Sequence, residues 1–211
     1  MKKNNKNYNN RSIIKKTKNK PSIQEAQEAV KTLIAWAGDD PNREGLIETP
    51  KRVVNAYLDF FSGYKEDYHA VLGKTFDDVQ GYDDIVLIKN IRMESHCEHH
   101  MVPFIGIAHV AYIPDRHVVG ISKIARLVDI FSKRLQTQET LTMQIANAIN
   151  EVLKPRGVAV LIDSKHQCMT TRGIHKQDAS TVTMSILGEF KTDPILEDRF
   201  LNMIKIKSQE C

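Results

Sequence analysis

After Pro21, apolar residues return at helical spacing (Ala26, Val30, Leu33 and Ile34), and Ser22 with Glu25 three positions on is placed as a capping box. The pattern predicts a helix from about Ile23 to Trp36. Gly38 and the D-D-P-N run break it, and Thr49-Pro50 starts a second helix that carries Val53, Tyr57 and Phe60 to a stop at Gly63. From Asp84 the period shortens. I-V-L-I-K-N-I and F-I-G-I-A-H-V-A-Y-I-P are rich in β-branched and aromatic residues with partial alternation, so they read as two strands joined through S-H-C-E-H-H-M-V-P. Helical spacing resumes at Ser122, with Ile124, Val128, Phe131 and Leu135, and again at Thr137, with Leu141, Ile145, Ile149 and Val152. The short link makes these two helices antiparallel neighbours. Pro155 and Gly157 close the second, G-V-A-V-L-I-D and S-T-V-T-M-S-I-L-G-E-F read as two more strands, and a last helix starts at Pro194.

The predicted order is helix, helix, strand, strand, helix, helix, strand, strand, helix. Strands that do not alternate one-for-one with helices favour an α+β fold, an antiparallel sheet with a helix pair between two strand hairpins, over a parallel α/β sheet. With 211 residues, 41% of them hydrophobic, the chain is long enough for one real core. Its first twenty residues hold eight Lys/Arg and no acid in an Asn-rich setting, which predicts a disordered basic tail over 1–20. A helical region over 21–80 and the α+β domain over 81–211 follow. The formal charge of the chain is +4, and removing the tail's eight positive charges leaves residues 21–211 at −4. The body is therefore not a basic platform for nucleic acid. Three cysteines, one of them the terminal Cys211, give no even disulfide framework and suit a reducing cytoplasm. No apolar run approaches the length of a membrane helix and no apolar signal core opens the chain, so no membrane partner is expected.

The chemistry concentrates in S-H-C-E-H-H and K-H-Q-C-M-T-T-R-G. Zn²⁺ prefers thiolate sulfur and imidazole nitrogen, and Cys97, His100 and the distant Cys168 offer three such donors without an obvious fourth. A lone buried cysteine is commonly inert and a lone histidine commonly a core or surface residue, so it is the cluster from two separated segments that points to a metal. The absence of C-x-x-C argues against a zinc ribbon or finger. An open three-ligand site suits catalysis, because the remaining position can hold a water whose pKa is lowered. Ser122, Lys123 and Arg126 stand at a helix start just after Gly120, where backbone N–H groups and two cationic side chains can cradle a phosphate or simply face solvent. Arg172, four residues after Cys168, can bring a further charge to that cradle. Glu139, beside Gln138 at the next helix start, is either a favourable dipole partner or a carboxylate matched to the N1–H and N2–H₂ edge of guanine. Gly73-Lys74-Thr75 mimics the end of a phosphate-binding loop, but Tyr68 occupies the place of its leading glycine. The signatures of zinc nucleobase deaminases, H-E-x-x-H and G-x-S-x-G are absent.

C-E-H-H followed by A-Y-I-P, G-I-S-K-I-A-R, Q-T-Q-E-T-L-T and H-Q-C-M-T-T-R-G resembles the GTP cyclohydrolase I family, from D-P-N-R-E-G-L-I-E-T-P-K-R-V to the final helix. The resemblance implies a tunnelling fold, a homodecamer of two pentamers with active sites at subunit contacts, and the conversion of GTP and water to formate and 7,8-dihydroneopterin triphosphate, the first step of folate and pterin synthesis. It implies Cys97, His100 and Cys168 as zinc ligands and His99 as the acid that protonates N7 of the purine. His166 would be a second proton-transfer group near the ribose, where Ser122 assists. Gln138 and Glu139 would hold guanine, Lys123, Arg126 and Arg172 the triphosphate, and Arg52 a neighbouring subunit's phosphate. Some members of the family carry lysine where Asn55 stands here. Two rivals remain open at this point. A nitrile reductase of the same fold would consume NADPH without needing the metal triad, and a non-catalytic zinc- and nucleotide-binding protein would release no formate.

Overall fold

A computed structural model of the chain describes residues 20–73, 75–76 and 82–207. The expected basic tail, but for Lys20, lies outside the described residues, as do Lys74 and Cys211. The elements in chain order are α1 (Ile23–Trp36), α2 (Thr49–Phe60), a short 3₁₀ turn (Ser62–Lys65), α3 (Tyr68–Leu72), β1 (Thr75–Phe76), β2 (Val86–Cys97) and β3 (Pro103–Ile113). They continue with β4 (Val118–Val119), α4 (Ile121–Ser132), β5 (Leu135–Gln136), α5 (Gln138–Leu153), β6 (Gly157–His166), α6 (Gln167–Thr170), β7 (Thr181–Gly188), α7 (Glu189–Thr192) and α8 (Pro194–Lys205).

The chain divides into two compact units, one ending at Tyr57 and one beginning at Leu58. The first contains α1, which starts where the sequence predicts: the Ser22 hydroxyl accepts from the Glu25 N–H while the Glu25 carboxylate accepts from the Ser22 N–H. The second unit also takes in the turns before residue 81 that the sequence reading left with the N-terminal part. Gly63 lies so close to the end of α4 that a Cβ there would stand 2.1 Å from the Ile130 carbonyl oxygen, and the side chain of Leu72 is fully buried in the main core.

Within the second unit a five-stranded sheet runs in the order β5-β2-β3-β6-β7. β2 with β3, β3 with β6, and β6 with β7 are antiparallel, so the two hairpins of the prediction join edge to edge through β3 and β6. Only the two-residue β5 runs parallel, pairing His96 with Leu135 and Cys97 with Gln136. Helices α4 and α5 cover one sheet face. Ile124, Leu127, Val128, Leu141, Ile145 and Ile149 are buried there against Ala108, Val110, Tyr112, Val158 and Val160. On the opposite face, Phe190 and Phe200 pack on Ala111, Ile113 and Ala159 at one end. β2 runs farther than the sequence suggests. Ser95, His96 and Cys97 belong to the strand, and only the residues after Cys97 make the turn into β3.

Candidate active site

Cys97 is the last residue of β2 and is buried. The turn that follows is tied by backbone hydrogen bonds: Met101 N–H donates to the Cys97 carbonyl at 2.8 Å, and Cys97 N–H to the Val102 carbonyl at 2.9 Å. This geometry throws His99 and His100 back over the cysteine. The Cys97 Sγ lies 3.6 Å from His99 Nδ1 and 3.9 Å from His100 Nδ1. From the other segment, the single turn of α6 delivers Cys168, and the donor atoms of Cys97, His100 and Cys168 all lie within 4.8 Å of one another. Donor atoms around a tetrahedral Zn²⁺ are about 3.5–4 Å apart, so small side-chain rotations close the group on an ion. Burial and the neighbouring Cys97 thiol push the Cys168 thiol above its ordinary pKa, while Arg172 pulls it back. Two thiols this close resist ionising together, and a divalent cation is the natural partner for such a pair. The residues present therefore fit a metal.

Beside this group lies a buried amide network. Gln138, the first residue of α5, is 1% exposed. Its Nε2 donates to the carbonyls of Ile162 (3.0 Å) and Thr181 (2.7 Å), and its Oε1 meets Ser164 Oγ at 2.7 Å and His166 Nε2 at 2.8 Å. The Phe104 ring stacks on His166 with centroids 4.5 Å apart and planes 5° from parallel. Burial lowers the His166 pKa, and the nearby Glu139 carboxylate works against that shift. Both amide donors of Gln138 and both acceptor sites on its oxygen are met within the protein, whereas the neighbouring Glu139 is exposed.

Ser122 and Lys123 fall in the first turn of α4 and Arg126 one turn on, with Gly120 as the helix N-cap. Arg172 follows α6 directly and acts electrostatically on Cys168. Arg52 stands on α2 in the N-terminal unit. The sequence reading missed Ser164 and Phe104. Ser164 was legible, because it lies two residues before His166 in a strand and so shares its face. Gly106 was legible too: a glycine inside a β-branched run marks close backbone approach, and a Cβ there would stand 2.1 Å from the Asp163 carbonyl oxygen and 2.5 Å from the Ser164 Cβ.

An α+β unit with a two-thiol, one-imidazole donor group that could hold a metal, beside a half-buried histidine bonded to a buried amide, has the layout of an enzyme. The family model of GTP cyclohydrolase I matches residues 26–205, and the chain belongs to that family. With that membership comes the tunnelling fold. The chain is 63% identical over 186 residues to GTP cyclohydrolase 1 of Maricaulis maris (strain MCS10), covering 88% of this chain and 91% of that one. It is 64% identical over 184 residues to the enzyme of that name from Hyphomonas neptunium (strain ATCC 15444), covering 87% and 89%, and 56% identical over 196 residues to that of Brucella suis (strain ATCC 23445 / NCTC 10510), covering 93% and 92%. Among solved structures, an archaeosine synthase QueF-Like in the apo form aligns with 49% of this chain and 93% of its own, at a TM-score of 0.41 and 22% identity, a likeness too slight to build on. Among the described residues no helix is long and apolar enough to cross a membrane.

Proposed function

We propose that this chain is a GTP cyclohydrolase I that converts GTP and one water, net, into formate and 7,8-dihydroneopterin triphosphate, the entry step of folate and pterin synthesis. The observation that carries the reading is the meeting of Cys97, His100 and Cys168 from two distant segments, in a chain of this family. Those three residues would hold zinc. The chemistry such an ion supplies is Lewis acidity, which makes a water acidic enough to act as a nucleophile near neutral pH. His99, beside Cys97, would protonate N7 of the purine as the C8–N bond opens. His166 moves a proton near the ribose, with Ser122 assisting there. Glu139, exposed at the start of α5, reads the guanine edge through two parallel N–H···O bonds. Lys123 and Arg126 on α4 and Arg172 after α6 neutralise the triphosphate, which needs several cations.

The assembly is proposed to be a decamer of two pentamers, with Arg52 reaching a phosphate bound by a neighbouring copy. Exposed apolar residues on one sheet face support an oligomer: among the described residues, strand register aligns Ile107 with Val182 across Asp163, and both are exposed, as are Ile105 and Met184. Free thiols at Cys97 and Cys168 suit a reducing compartment, and the cytoplasm is proposed on that ground. The test is to incubate the zinc-loaded protein with GTP, with and without a chelator, and to follow formate and pteridine absorbance. Equal formation of both, lost on chelation, is expected. GTP recovered intact from a zinc-loaded sample would leave only the fold, and turnover of NADPH without metal would favour the reductase reading.

A further inference from the structure

We infer that Gln138 is a positioning residue for His166, accepting from Nε2–H and so fixing the ring as the Nε2–H tautomer with the Nδ1 lone pair turned away from the amide. The inference rests on the proposed role of His166 in proton transfer and deepens it. A primary amide has two N–H donors on one side and an acceptor oxygen on the other. The Ile162 and Thr181 carbonyls, 3.0 and 2.7 Å from Gln138 Nε2, can only accept. The opposite orientation would set the amide oxygen against two carbonyl oxygens in a site 1% exposed, so the network decides which way the amide points. Oε1 therefore faces Ser164 Oγ at 2.7 Å and His166 Nε2 at 2.8 Å, and it can only accept from each.

A neutral imidazole carries one proton, and here the acceptor facing Nε2 claims it. Nδ1 keeps the lone pair. The ring plane is held independently by Phe104, stacked 4.5 Å away, and Ser164 is fixed across the sheet by Gly106, whose missing side chain permits the close approach of β3 and β6. Because Thr181 lies on β7 and Ile162 on β6, the amide also pins the start of α5 over the last rungs of that hairpin. Gln138 thus contacts His166 directly.

The primary test uses the full-length, metal-loaded protein with ¹⁵N-labelled histidine, studied by solid-state NMR without GTP at a pH where the ring is neutral. The His166 signals are those lost in His166→Ala. Protonated Nε2 with unprotonated Nδ1 is expected, and protonated Nδ1 would overturn the inference. This readout needs no Gln138 variant to fold. It also stands apart from turnover, so a protein that failed to open GTP would sink the proposed function while leaving the tautomer decided on its own. The second arm is Gln138→Met, similar in size but unable to make the four bonds. The expectation is a mixture of His166 tautomers and a kcat lowered about 10–100-fold, the range typical for groups that orient an active-site side chain, with KM for GTP unchanged. A raised KM at unchanged kcat would make Gln138 a guanine contact instead. A single Nε2–H tautomer retained in the variant would show that something else sets the ring.

Discussion

Cys97 and Cys168 come together, yet the segments that deliver them are anchored differently. Cys97 closes a twelve-residue strand held on both sides, by β3 and by β5, and the Glu98 N–H adds a bond to the Gln136 carbonyl at 2.9 Å. The preceding His96 packs against Phe60 and Phe61 at centroid distances of 4.6 and 5.3 Å. Cys168 sits in one isolated helical turn, a length that has no stability of its own. Beyond it runs an exposed segment with positive φ at Gly173 and His175, tied back by the Lys176 N–H to the Met169 carbonyl. The first arm is preformed by the sheet. The second rests on the Gln138 network at its base and on whatever the donor group binds at its tip, so if that group holds a metal, occupancy should matter more to residues 168–176 than to 97–102.

The largest way to break this comparison is to remove the donor on the weaker arm. Cys168→Ala should lose both bound zinc and turnover, and a variant that kept stoichiometric zinc would show that another residue is the third donor. Hydrogen exchange sharpens the contrast in the unaltered protein. Chelation should speed exchange of the amides in 168–176 while those of Cys97 and Met101, bonded within the turn, keep their protection. Equal loosening of both arms would mean that the metal, not the sheet, forms the first.

Next in size is His99→Ala on the stronger arm. Because His99 is not among the three grouped donors, zinc should stay bound while the rate of formate release falls by about 10²–10⁴-fold, the usual worth of a positioned acid. A loss of metal instead would move His99 into the ligand set.

How far sequence alone reaches differs between the arms for a physical reason. C-E-H-H places three chemically competent side chains within four residues, and local spacing is enough to make the cluster visible. The long elements were equally legible, because their hydrophobic periods are unbroken and their caps are explicit, as at Ser22 and Thr137. Turns such as α3 and α6 were not, since one helical turn is too short to show a period and exists only through packing. The role of Gln138 was hidden for another reason. Its partners come from β6 and β7, up to 43 residues away, so only strand register reveals that its amide is already used.

Gly106 probes the base of the weaker arm. In Gly106→Ala the new methyl would meet the backbone at Asp163 and the Ser164 side chain, and rigid strands cannot yield cheaply, so about 1–3 kcal/mol of stability should be lost. Activity should fall further than stability explains, because Ser164 is a partner of the Gln138 oxygen. Full activity with a lowered melting temperature would uncouple the strand contact from the site.

The smallest effect lies away from both arms and separates fold from site. His109, 7% exposed on β3, accepts from the Asn90 N–H through Nδ1 at 3.4 Å, a bond that requires that nitrogen to be unprotonated. Burial lowers its pKa below the ordinary 6.5, Lys89 adds to the shift, and Asp163 on β6 opposes it. The unfolded chain therefore binds the proton more readily than the folded one. The stability this histidine contributes is complete above about pH 6.5 and is lost as pH falls through its folded value. His109→Gln keeps an acceptor for Asn90 without titrating. In denaturant unfolding between pH 7 and 5 it should flatten the decline in stability by at most about 1.4 kcal/mol per pH unit. Zinc content at pH 7 should be unchanged, since the fall belongs to the sheet interior. A slope identical to that of the unaltered chain would place the acid sensitivity in the other buried histidines, and with it in the arms themselves.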